Sequence, residues 1–299
     1  MSQAEQQISN GCGVEQRPNG SYDDDNDNKD CPNSLAGSDH SRDAKMPVYR
    51  DPMYYKMDHK HRGIAIIFNH EYFDVHDLKP RRGTQVDGDN LSRVLESLGF
   101  CVTIYNNLDY HDLIARVQQV AQMDHSHADC LLMAVLTHGE LGILYANDTH
   151  YKAENLWINF TADRCPTLVG KPKLFFIQAC QGNKFDGGIT VSNVTETDGS
   201  SGTYRYPIHA DFLIAFSTIP GYYSWRDCVR GSWFMQALCE ELRCFGTERD
   251  ILTLLTLVTQ RVALDFESSN PDLPAKHQQK QVPCITSMLT RVLVFGKKN

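Results

Sequence analysis

The chain has 299 residues, of which 41% are hydrophobic and 22% are charged, and its formal net charge is −8. This length suits one large α/β core, whereas the acidic balance argues against binding to nucleic acid. The sequence contains no signal peptide, no apolar run of membrane-span length and no C-x-x-C pair among its ten cysteines, so we expect a reduced, cytoplasmic protein without a metal or an organic cofactor.

The first 45 residues differ from the rest of the chain in composition. They are acidic, rich in Asn, Gly and Ser, and almost free of aromatic residues. Such a segment buries too little apolar surface to offset the entropy of its ordering. We therefore predict a disordered acidic segment over residues 1–45, followed by a folded region that begins near Met46.

Beyond this segment, apolar runs alternate with amphipathic stretches. Short runs dense in Leu, Val, Ile and Phe are typical of strands that are buried on both faces of a parallel sheet. The alternation predicts an α/β fold, a three-layer sandwich with a mostly parallel central sheet of about six strands flanked by helices. The predicted strands are 63–68, 100–105, 131–136, 174–177, 212–216 and 285–295, and the predicted helices lie near 89–98, 113–121, 232–242 and 251–266.

Residues 186–206 interrupt this pattern with a stretch rich in Gly and Ser. A flexible insert of this length within a compact domain is unusual, and proteolysis concentrates at such loops. An acid precedes a glycine at Asp186-Gly187 and again at Asp198-Gly199. The linker therefore divides one α/β domain into a large part, 46–198, and a small part, 199–299.

Two side chains of complementary chemistry follow consecutive long apolar runs. His138 closes the run 131–136, and Cys180 closes the run 174–177 within the pentapeptide Gln178-Ala179-Cys180-Gln181-Gly182. Open α/β folds hold their functional sites beyond the carboxyl ends of such strands. If the two strands are neighbours, a thiol nucleophile and an imidazole meet at one edge of the sheet.

Basic and aromatic side chains lie in two other loops that leave the same edge. The loop after the first strand carries Arg81, and the loop after the fifth carries Tyr223-Ser224-Trp225-Arg226. Guanidinium groups that converge there would bind a carboxylate with bidentate geometry. The residues alone thus favour an acidic ligand.

Each feature also has a purely structural interpretation. Lone cysteines are usually inert core residues, isolated histidines usually carry no chemistry, and loop arginines are usually solvated. Trp225 and Trp233 could be core aromatics, and the linker could be a tolerated insertion. The joint occurrence of nucleophile, imidazole, carboxylate clamp and cleavable linker favours the functional interpretation.

Together these motifs resemble those of the caspase family. The resemblance implies a cysteine endopeptidase that cleaves after aspartate, needs no cofactor, has a short prodomain of the effector type and acts in apoptosis. It covers about residues 46–299 and rests on four motifs, which are His138-Gly139, Gln178-Ala179-Cys180-Gln181-Gly182, Arg81-x-Gly83-Thr84 and Tyr223-x-Trp225-Arg226.

The resemblance also implies a role for each matching residue. Cys180 would be the nucleophile and His138 the group that handles the proton of the leaving amine, while the backbone of Gly139 and Cys180 would hold the oxyanion. The residues that would bind the substrate aspartate are Arg81, Gln178 and Arg226. The residues that would line the next pockets and pair with the substrate backbone are Tyr223, Ser224, Trp225, Arg226 and Trp233.

The linker and the resemblance together predict regulation by proteolysis. A cut after Asp198 would separate a large from a small subunit, and a second cut after Asp30, Asp39 or Asp43 would remove the prodomain. The resemblance implies a two-fold dimer of subunit pairs, an upstream initiator caspase, inhibitor-of-apoptosis proteins and other caspase inhibitors as partners. The apolar final strand, 285–295, is the predicted dimer edge.

Two positions depart from the family pattern near the outer pockets. Asp227 stands where many effector members have a neutral amide, so it would oppose an acidic side chain four residues before the cut. Ser269 stands in a loop where relatives carry an aromatic residue. Both departures bear on the residues preferred upstream of the aspartate.

Two alternative functions belong to other classes. One is a catalytically silent caspase-like scaffold that binds acidic peptides, and a more distant one is a redox-sensing cysteine protein. A redox sensor needs a resolving cysteine near Cys180, and the sequence places none there. A silent scaffold has no chemical need for the complete set of Cys180, His138, Arg81 and Arg226.

Overall fold

The computed structural model of the protein describes residues 46–47, 51–187 and 207–298. The predicted acidic segment 1–45 and most of the linker lie outside the described residues, as do the predicted cut positions Asp30, Asp39, Asp43 and Asp198. Within the described ranges, no helix combines the length and the apolar character that crossing a membrane requires.

Eleven strands and four α-helices are formed within these residues. The strands are β1 (Ile64–Asn69), β2 (Cys101–Asn106), β3 (Leu131–Leu136), β4 (Gly139–Glu140), β5 (Ile143–Tyr145), β6 (His150–Lys152), β7 (Lys173–Gln178), β8 (Phe212–Phe216), β9 (Arg226–Asp227), β10 (Gly231–Ser232) and β11 (Cys284–Ser287). The helices are α1 (Thr84–Ser97), α2 (Tyr110–Ala121), α3 (Trp233–Phe245) and α4 (Ile251–Asp265).

A six-stranded sheet with the order β11-β8-β7-β3-β1-β2 forms the centre of the fold. Its strands pair in parallel except for β11, which lies at one edge and pairs antiparallel with β8. The prediction of an α/β fold with a mostly parallel sheet of about six strands is confirmed. The short strands form two further units, the sheet β4-β5-β6 and the hairpin β9-β10.

Helices cover both faces of the sheet, and strand residues alternate between the two faces. On β1, Ala65 and Ile67 belong to one apolar cluster, whereas Ile66 and Phe68 belong to the other. The first cluster includes the buried residues of α1, α3 and α4, and the second includes those of α2. Because neither face is left to solvent, the central strands consist of continuous apolar runs. The result is the predicted three-layer sandwich.

Two elements differ in extent from the sequence-based prediction. Helix α1 begins at Thr84 instead of 89, because the chain enters the helix directly after Gly83. The final strand ends at Ser287 instead of running to Phe295. The apolar residues Leu293 and Phe295 are buried in the cluster on the α1 face. Their hydrophobicity therefore reflects core packing and not strand pairing.

The loops that carry the predicted site residues leave one edge of the central sheet. Strands β3 and β7 are parallel neighbours, so the loops that carry His138 and Cys180 begin side by side. The loop after β1 leads to Arg81, and the chain after β8 leads to Arg226 in β9. The prediction that the carboxyl ends of the strands bring these residues to one region is confirmed.

Contacts anchor the chain on both sides of the linker. At its first residue, the carbonyl of Asp186 accepts a hydrogen bond from the backbone N–H of Lys280 at 2.9 Å. After it, the Asp211 carboxylate accepts hydrogen bonds from the hydroxyls of Tyr55 and Thr290, each at 2.7 Å. The strands that the linker connects, β7 and β8, pair directly with each other. Both ends of the linker are thus anchored to other parts of the fold.

Candidate active site

His138 lies just beyond β3, where its half-buried imidazole packs 4.8 Å from the Phe73 ring. Its Nε2 lies 2.8 Å from the carbonyl oxygen of Lys79, so Nε2 carries a hydrogen and donates it. Burial, together with the charges of Arg81 and Arg226, lowers the pKa of His138 to about 4. The imidazole is therefore neutral at pH 7, and its Nδ1 can accept a proton.

Cys180 lies in the loop after β7 with its thiol partly exposed. Its Sγ accepts a hydrogen bond from the Ser224 N–H at 3.4 Å. Burial raises the pKa of the thiol, although the Ser224 N–H and the charges of Arg81 and Arg226 favour the thiolate. The resting state is thus a neutral thiol beside a neutral imidazole.

Backbone contacts on both sides of Cys180 hold its loop in place. The Ser217 hydroxyl donates to the Ala179 carbonyl at 3.0 Å and accepts from the Ala179 N–H at 3.3 Å. The Gln181 N–H donates to the Tyr222 carbonyl at 3.0 Å. The segment that follows β8 therefore determines how the thiol is presented.

Gly139 lies against the backbone of Cys180. A Cβ added at Gly139 would lie 2.7 Å from the carbonyl oxygen of Cys180 and 2.9 Å from that of Ile143. No side chain fits at these distances, so glycine is required for the two loops to approach. The structure brings His138, Gly139 and Cys180 together, as the sequence predicted.

A buried guanidinium with a free donor lies at the same edge. Arg81 is 1% exposed, and its Nη1 donates to the His70 carbonyl at 2.9 Å and to the Thr84 hydroxyl at 2.8 Å. Its Nη2 has no hydrogen-bond partner among the described residues. Burial and the charge of Arg226 lower the pKa of Arg81 to about 9, so it remains cationic at pH 7. A buried cation with an unused donor favours an anionic ligand.

Gln178, the last residue of β7, is also buried and incompletely paired. Its Nε2 donates to the Ser224 hydroxyl at 2.8 Å, while its Oε1 has no partner within the described ranges. A half-turn of the amide would let the same hydroxyl donate to Oε1 and would release the NH₂ group. Gln178 can therefore offer either an acceptor or a donor to a ligand.

Arg226 is half-buried in β9, and its Nε donates to the Arg82 carbonyl at 2.9 Å. Across the hairpin it pairs with Ser232. The next pair along is hydrogen-bonded, since the Trp233 N–H donates to the Trp225 carbonyl at 3.2 Å. Bonded and non-bonded pairs alternate in an antiparallel ladder, so the backbone groups of Arg226 point away from the hairpin. This edge can accept an added strand.

Aromatic rings form a continuous row beside that edge. The ring centroids of Tyr223 and Trp225 are 5.2 Å apart, Trp225 is 5.7 Å from Trp233, and Trp233 is 5.5 Å from Phe266. Phe185, just upstream of the linker, packs 5.5 Å from Tyr223 and 5.8 Å from Trp225. Trp233 is only 7% exposed. It therefore supports a pocket wall from behind Trp225.

The two departures from the family pattern have different surroundings. The Asp227 carboxylate accepts hydrogen bonds from the backbone N–H groups of Val229 and Arg230 at 2.8 and 2.9 Å, and it forms an ion pair with the Arg230 guanidinium at 3.2 Å. These contacts lower the pKa of Asp227, and the positive charge of Arg230 balances its negative charge. Ser269 is exposed, and the aromatic ring of its loop is Phe266.

Several contributors to the site were not predicted from the sequence. The Lys79 carbonyl that orients His138 is a backbone group, which leaves no residue signature. The contact between Ser217 and Ala179 could not be predicted either, because it depends on the pairing of β8 with β7. Phe185 had a usable signal, because it is a single aromatic residue in an otherwise polar stretch.

Comparisons with known proteins agree with this geometry. Residues 62–294 match the family model described as Caspase domain. The chain is 68% identical over 286 residues to Caspase-1 of Spodoptera frugiperda, which covers 95% of this chain and 94% of that protein. It is 59% identical over 257 residues to Caspase drICE of Drosophila melanogaster, which covers 85% and 76%. The crystal structure of Caspase-1 from Spodoptera frugiperda superposes with a TM-score of 0.80 at 70% identity, covering 85% of this chain and 100% of that one.

Proposed function

The chain belongs to the caspase family, and from this premise we propose that the site at the sheet edge cleaves extended polypeptides after aspartate with Cys180 as the nucleophile. The protein is an aspartate-directed cysteine endopeptidase of the effector type that acts in apoptosis. The relatives give no support to a silent scaffold. The observation that carries the residue assignment is the unpaired Nη2 of buried Arg81, at the edge that also holds Cys180.

The substrate aspartate binds between Arg81, Gln178 and Arg226, which together form the carboxylate clamp. Its carboxylate accepts hydrogen bonds from the free Nη2 of Arg81 and from the Gln178 amide, and the positive charge of Arg226 stabilises it. An asparagine of the same shape leaves the buried cation without a counter-charge. Sites that hydrogen-bond a substrate group reject an analogue lacking it by roughly 10⁴-fold, so discrimination against asparagine is expected to be large.

The neutral thiol and imidazole determine the first step. As Sγ of Cys180 bonds to the scissile carbonyl carbon, its proton passes to Nδ1 of His138 and the carbonyl π electrons move to oxygen. The N–H groups of Gly139 and Cys180 donate hydrogen bonds to this oxyanion. Each such donor stabilises the transition state by roughly 3 kcal/mol. The Lys79 carbonyl keeps Nε2 protonated and stabilises the imidazolium that forms.

The same imidazole completes the cycle. The imidazolium gives its proton to the leaving nitrogen as the C–N bond breaks, which leaves a thioester on Cys180. Water then loses a proton to His138 and adds its oxygen to the thioester carbon, and the sulfur departs and regains the proton. His138 carries every proton, so the cycle needs no metal or organic cofactor.

The open edge of β9 positions the substrate backbone. Ser224 and Arg226 supply the backbone groups with which an extended peptide pairs as an added strand. Tyr223 and Trp225 form the wall of the pocket beside the aspartate, and Trp233 supports the pocket beyond through its contact with Trp225. Folded proteins are expected to be cut only where a segment can become extended.

Activation follows from a cut after Asp198, which separates a large subunit, 46–198, from a small one, 199–299. The small subunit then carries Ser224 and Arg226, while the large one carries His138 and Cys180. The acidic prodomain, 1–45, is removed by a cut after Asp30, Asp39 or Asp43. The uncut chain is thus a zymogen.

The partners and the location rest on family membership. Among the described strands, β11 has none on its outer side, and the same strand of a second copy would cover it in a two-fold dimer. An upstream initiator caspase makes the activating cut, and inhibitor-of-apoptosis proteins and other caspase inhibitors restrain the product. The enzyme acts in the cytoplasm on proteins with an exposed aspartate.

The test is cleavage of two reporter peptides that differ only in Asp or Asn before the reporter. Processed wild-type protein is expected to cleave the Asp peptide alone, and Cys180→Ala is expected to cleave neither. Tight binding of the Asp peptide to wild-type protein without turnover would favour the silent scaffold instead. Equal cleavage of both peptides would contradict the assignment of Arg81, Gln178 and Arg226 to the substrate carboxylate.

A further inference from the structure

A buried carboxylate joins helix α1 to the β9-β10 hairpin. Asp87 lies in the first turn of α1 and is 2% exposed. Its Oδ1 accepts a hydrogen bond from the Ser232 N–H at 2.8 Å, and its Oδ2 accepts one from the Ser232 hydroxyl at 2.6 Å. A single residue of the hairpin thus engages both carboxylate oxygens.

The backbone beside Ser232 is shaped around this carboxylate. Gly231 has a φ of 92°, in the left-handed region that L side chains rarely adopt. A Cβ added there would also collide with Oδ1 of Asp87. The hairpin therefore needs a glycine at this position in order to close on Asp87.

Ser232 is the direct partner of Arg226 across the hairpin. Since this pair is the non-hydrogen-bonded one, the N–H of Ser232 points outward to Asp87 and the backbone of Arg226 points to the substrate edge. Arg226 also donates from Nε to the Arg82 carbonyl at 2.9 Å. Arg81, Arg82 and Asp87 all lie in the short segment that leads into α1. This segment contains Arg81 itself and the Arg82 carbonyl that binds Arg226.

The charge on Asp87 has an energetic cost in this position. Burial raises the pKa of Asp87 to about 6, although the Ser232 donors and the charges of Arg81 and Arg226 oppose the shift. The carboxylate is therefore ionised at pH 7 in a site that resists ionisation. A buried charge of this kind is weak evidence for stability. Its geometry points to a role in placing the hairpin.

We propose that Asp87 is a positioning residue that holds Ser232 and thereby fixes Arg226 relative to Arg81, so that the clamp matches an aspartate side chain. The inference rests on the proposed function of the clamp. Asp87 precedes the linker and Ser232 follows it. The same contact would therefore join the large and the small subunit after the cut.

The test compares processed wild-type enzyme with Asp87→Asn and with the matched control Asp89→Asn. Asp89 lies on the same helix, where its carboxylate accepts a hydrogen bond from the exposed Gln85 amide. Each enzyme is titrated with an irreversible Asp-peptide inhibitor, so that kcat refers to active sites. For Asp87→Asn we expect KM for the Asp peptide to rise roughly 10- to 100-fold, the range for losing a hydrogen bond to a charged group, with kcat changed by less than about threefold. Asp89→Asn is expected to behave as wild type.

A second variant, Ser232→Ala, separates geometry from charge. It removes the hydroxyl donor and leaves both the carboxylate charge and the Ser232 N–H bond in place. KM for the Asp peptide should rise about 10-fold, the lower end of the range for a hydrogen bond to a charged group. A lower KM in Asp87→Asn would overturn the proposal, because the carboxylate would then act only as a competing charge. Unchanged KM in both variants, with wild-type cleavage of the Asp peptide intact, would also overturn it and leave the proposed function standing. If Asp87→Asn does not fold, Ser232→Ala decides alone.

Discussion

The backbone N–H of Ser224 donates to Sγ of Cys180 at 3.4 Å. Ser224 follows the linker in sequence and Cys180 precedes it, so the thiol is held by the segment that a cut would place in the other subunit. Sγ in turn donates to the Ser224 carbonyl at 3.9 Å. Burial outweighs the Ser224 N–H bond and raises the pKa of the thiol. The uncut chain is therefore expected to have a weakly nucleophilic cysteine.

Alkylation of Cys180 measures this state. In the uncleavable chain Asp198→Ala, we expect its rate with iodoacetamide to rise continuously from about pH 6 to about pH 9, because only the thiolate reacts. Mass spectrometry of the Cys180 peptide gives the rate, and exposed Cys228 serves as the internal reference. A plateau below about pH 8 would contradict the neutral thiol.

Replacing Gly139 by alanine should inactivate the enzyme without unfolding it. The added methyl group would lie 2.7 Å from the Cys180 carbonyl, so the two oxyanion donors would separate. We expect kcat to fall by at least about 100-fold, as when one donor is lost. Gly187→Ala is the control, since a Cβ there meets no described atom within 4 Å. Equal activity of the two variants would show that Gly139 does not shape the oxyanion site.

Arg230 should decide whether the enzyme tolerates an acid four residues before the cut. Its ion pair with Asp227 is largely exposed, so Arg230→Ala is expected to have a small effect, about two- to fivefold in kcat/KM. The loss should appear only with a peptide that carries Asp at that position and not with its Asn counterpart. Arg243→Ala, which removes an exposed arginine of α3 that pairs with Glu240, is the matched control. A loss with both peptides would refute the charge argument.

The activating cut is predicted at Asp198 and not at Asp186. The carbonyl of Asp186 accepts a hydrogen bond from the Lys280 N–H, and a protease must detach this backbone before it can bind an extended segment. Asp198→Ala should therefore block separation of the subunits, whereas Asp186→Ala should be processed normally. Gel electrophoresis and N-terminal sequencing of the small subunit distinguish the two. Normal processing of Asp198→Ala would place the cut elsewhere.

The stability of Asp87→Asn relative to wild type should depend on pH. The pKa of Asp87 rises from 3.8 unfolded to about 6 folded, so the unfolded state releases its proton first and wild-type stability falls as pH rises through this window. The asparagine does not titrate. Its stability relative to wild type should thus increase between about pH 4 and pH 6, by at most roughly 3 kcal/mol. Denaturant unfolding in the Asp198→Ala background measures the difference, and a flat difference would contradict the buried carboxylate.

Much of the fold and the site could be predicted from the chain. The long apolar runs identified every parallel strand, and the βα order fixed their common direction, because parallel neighbours need helical crossovers. Residues in signature motifs, such as His138 and Cys180, were placed correctly at one sheet edge. The length of the last strand was not predictable from hydrophobicity, because Leu293 and Phe295 are buried without strand pairing.

What the sequence missed depends on contacts between distant segments. Asp87 and Ser232 meet only because the hairpin after β8 folds back onto α1, and neither residue type marks the contact in advance. The Lys79 carbonyl is invisible in sequence for a similar reason. The ion pair between Asp227 and Arg230 was likewise not predicted, although the two residues are close in sequence.

The pairing of β7 with β8 has a consequence for the mature enzyme. Once the linker is cut, the boundary between the two polypeptides runs through the interior of the central sheet and not across an exterior surface. The pieces cannot exchange partners as docked domains do, since separating them means dismantling the core. Folding before the cut is a first-order process, whereas reassembly afterwards requires an encounter between two unfolded chains and depends on their concentration. The recovery of activity after denaturation should therefore be far poorer for the cut enzyme than for a chain that is refolded intact and then cut.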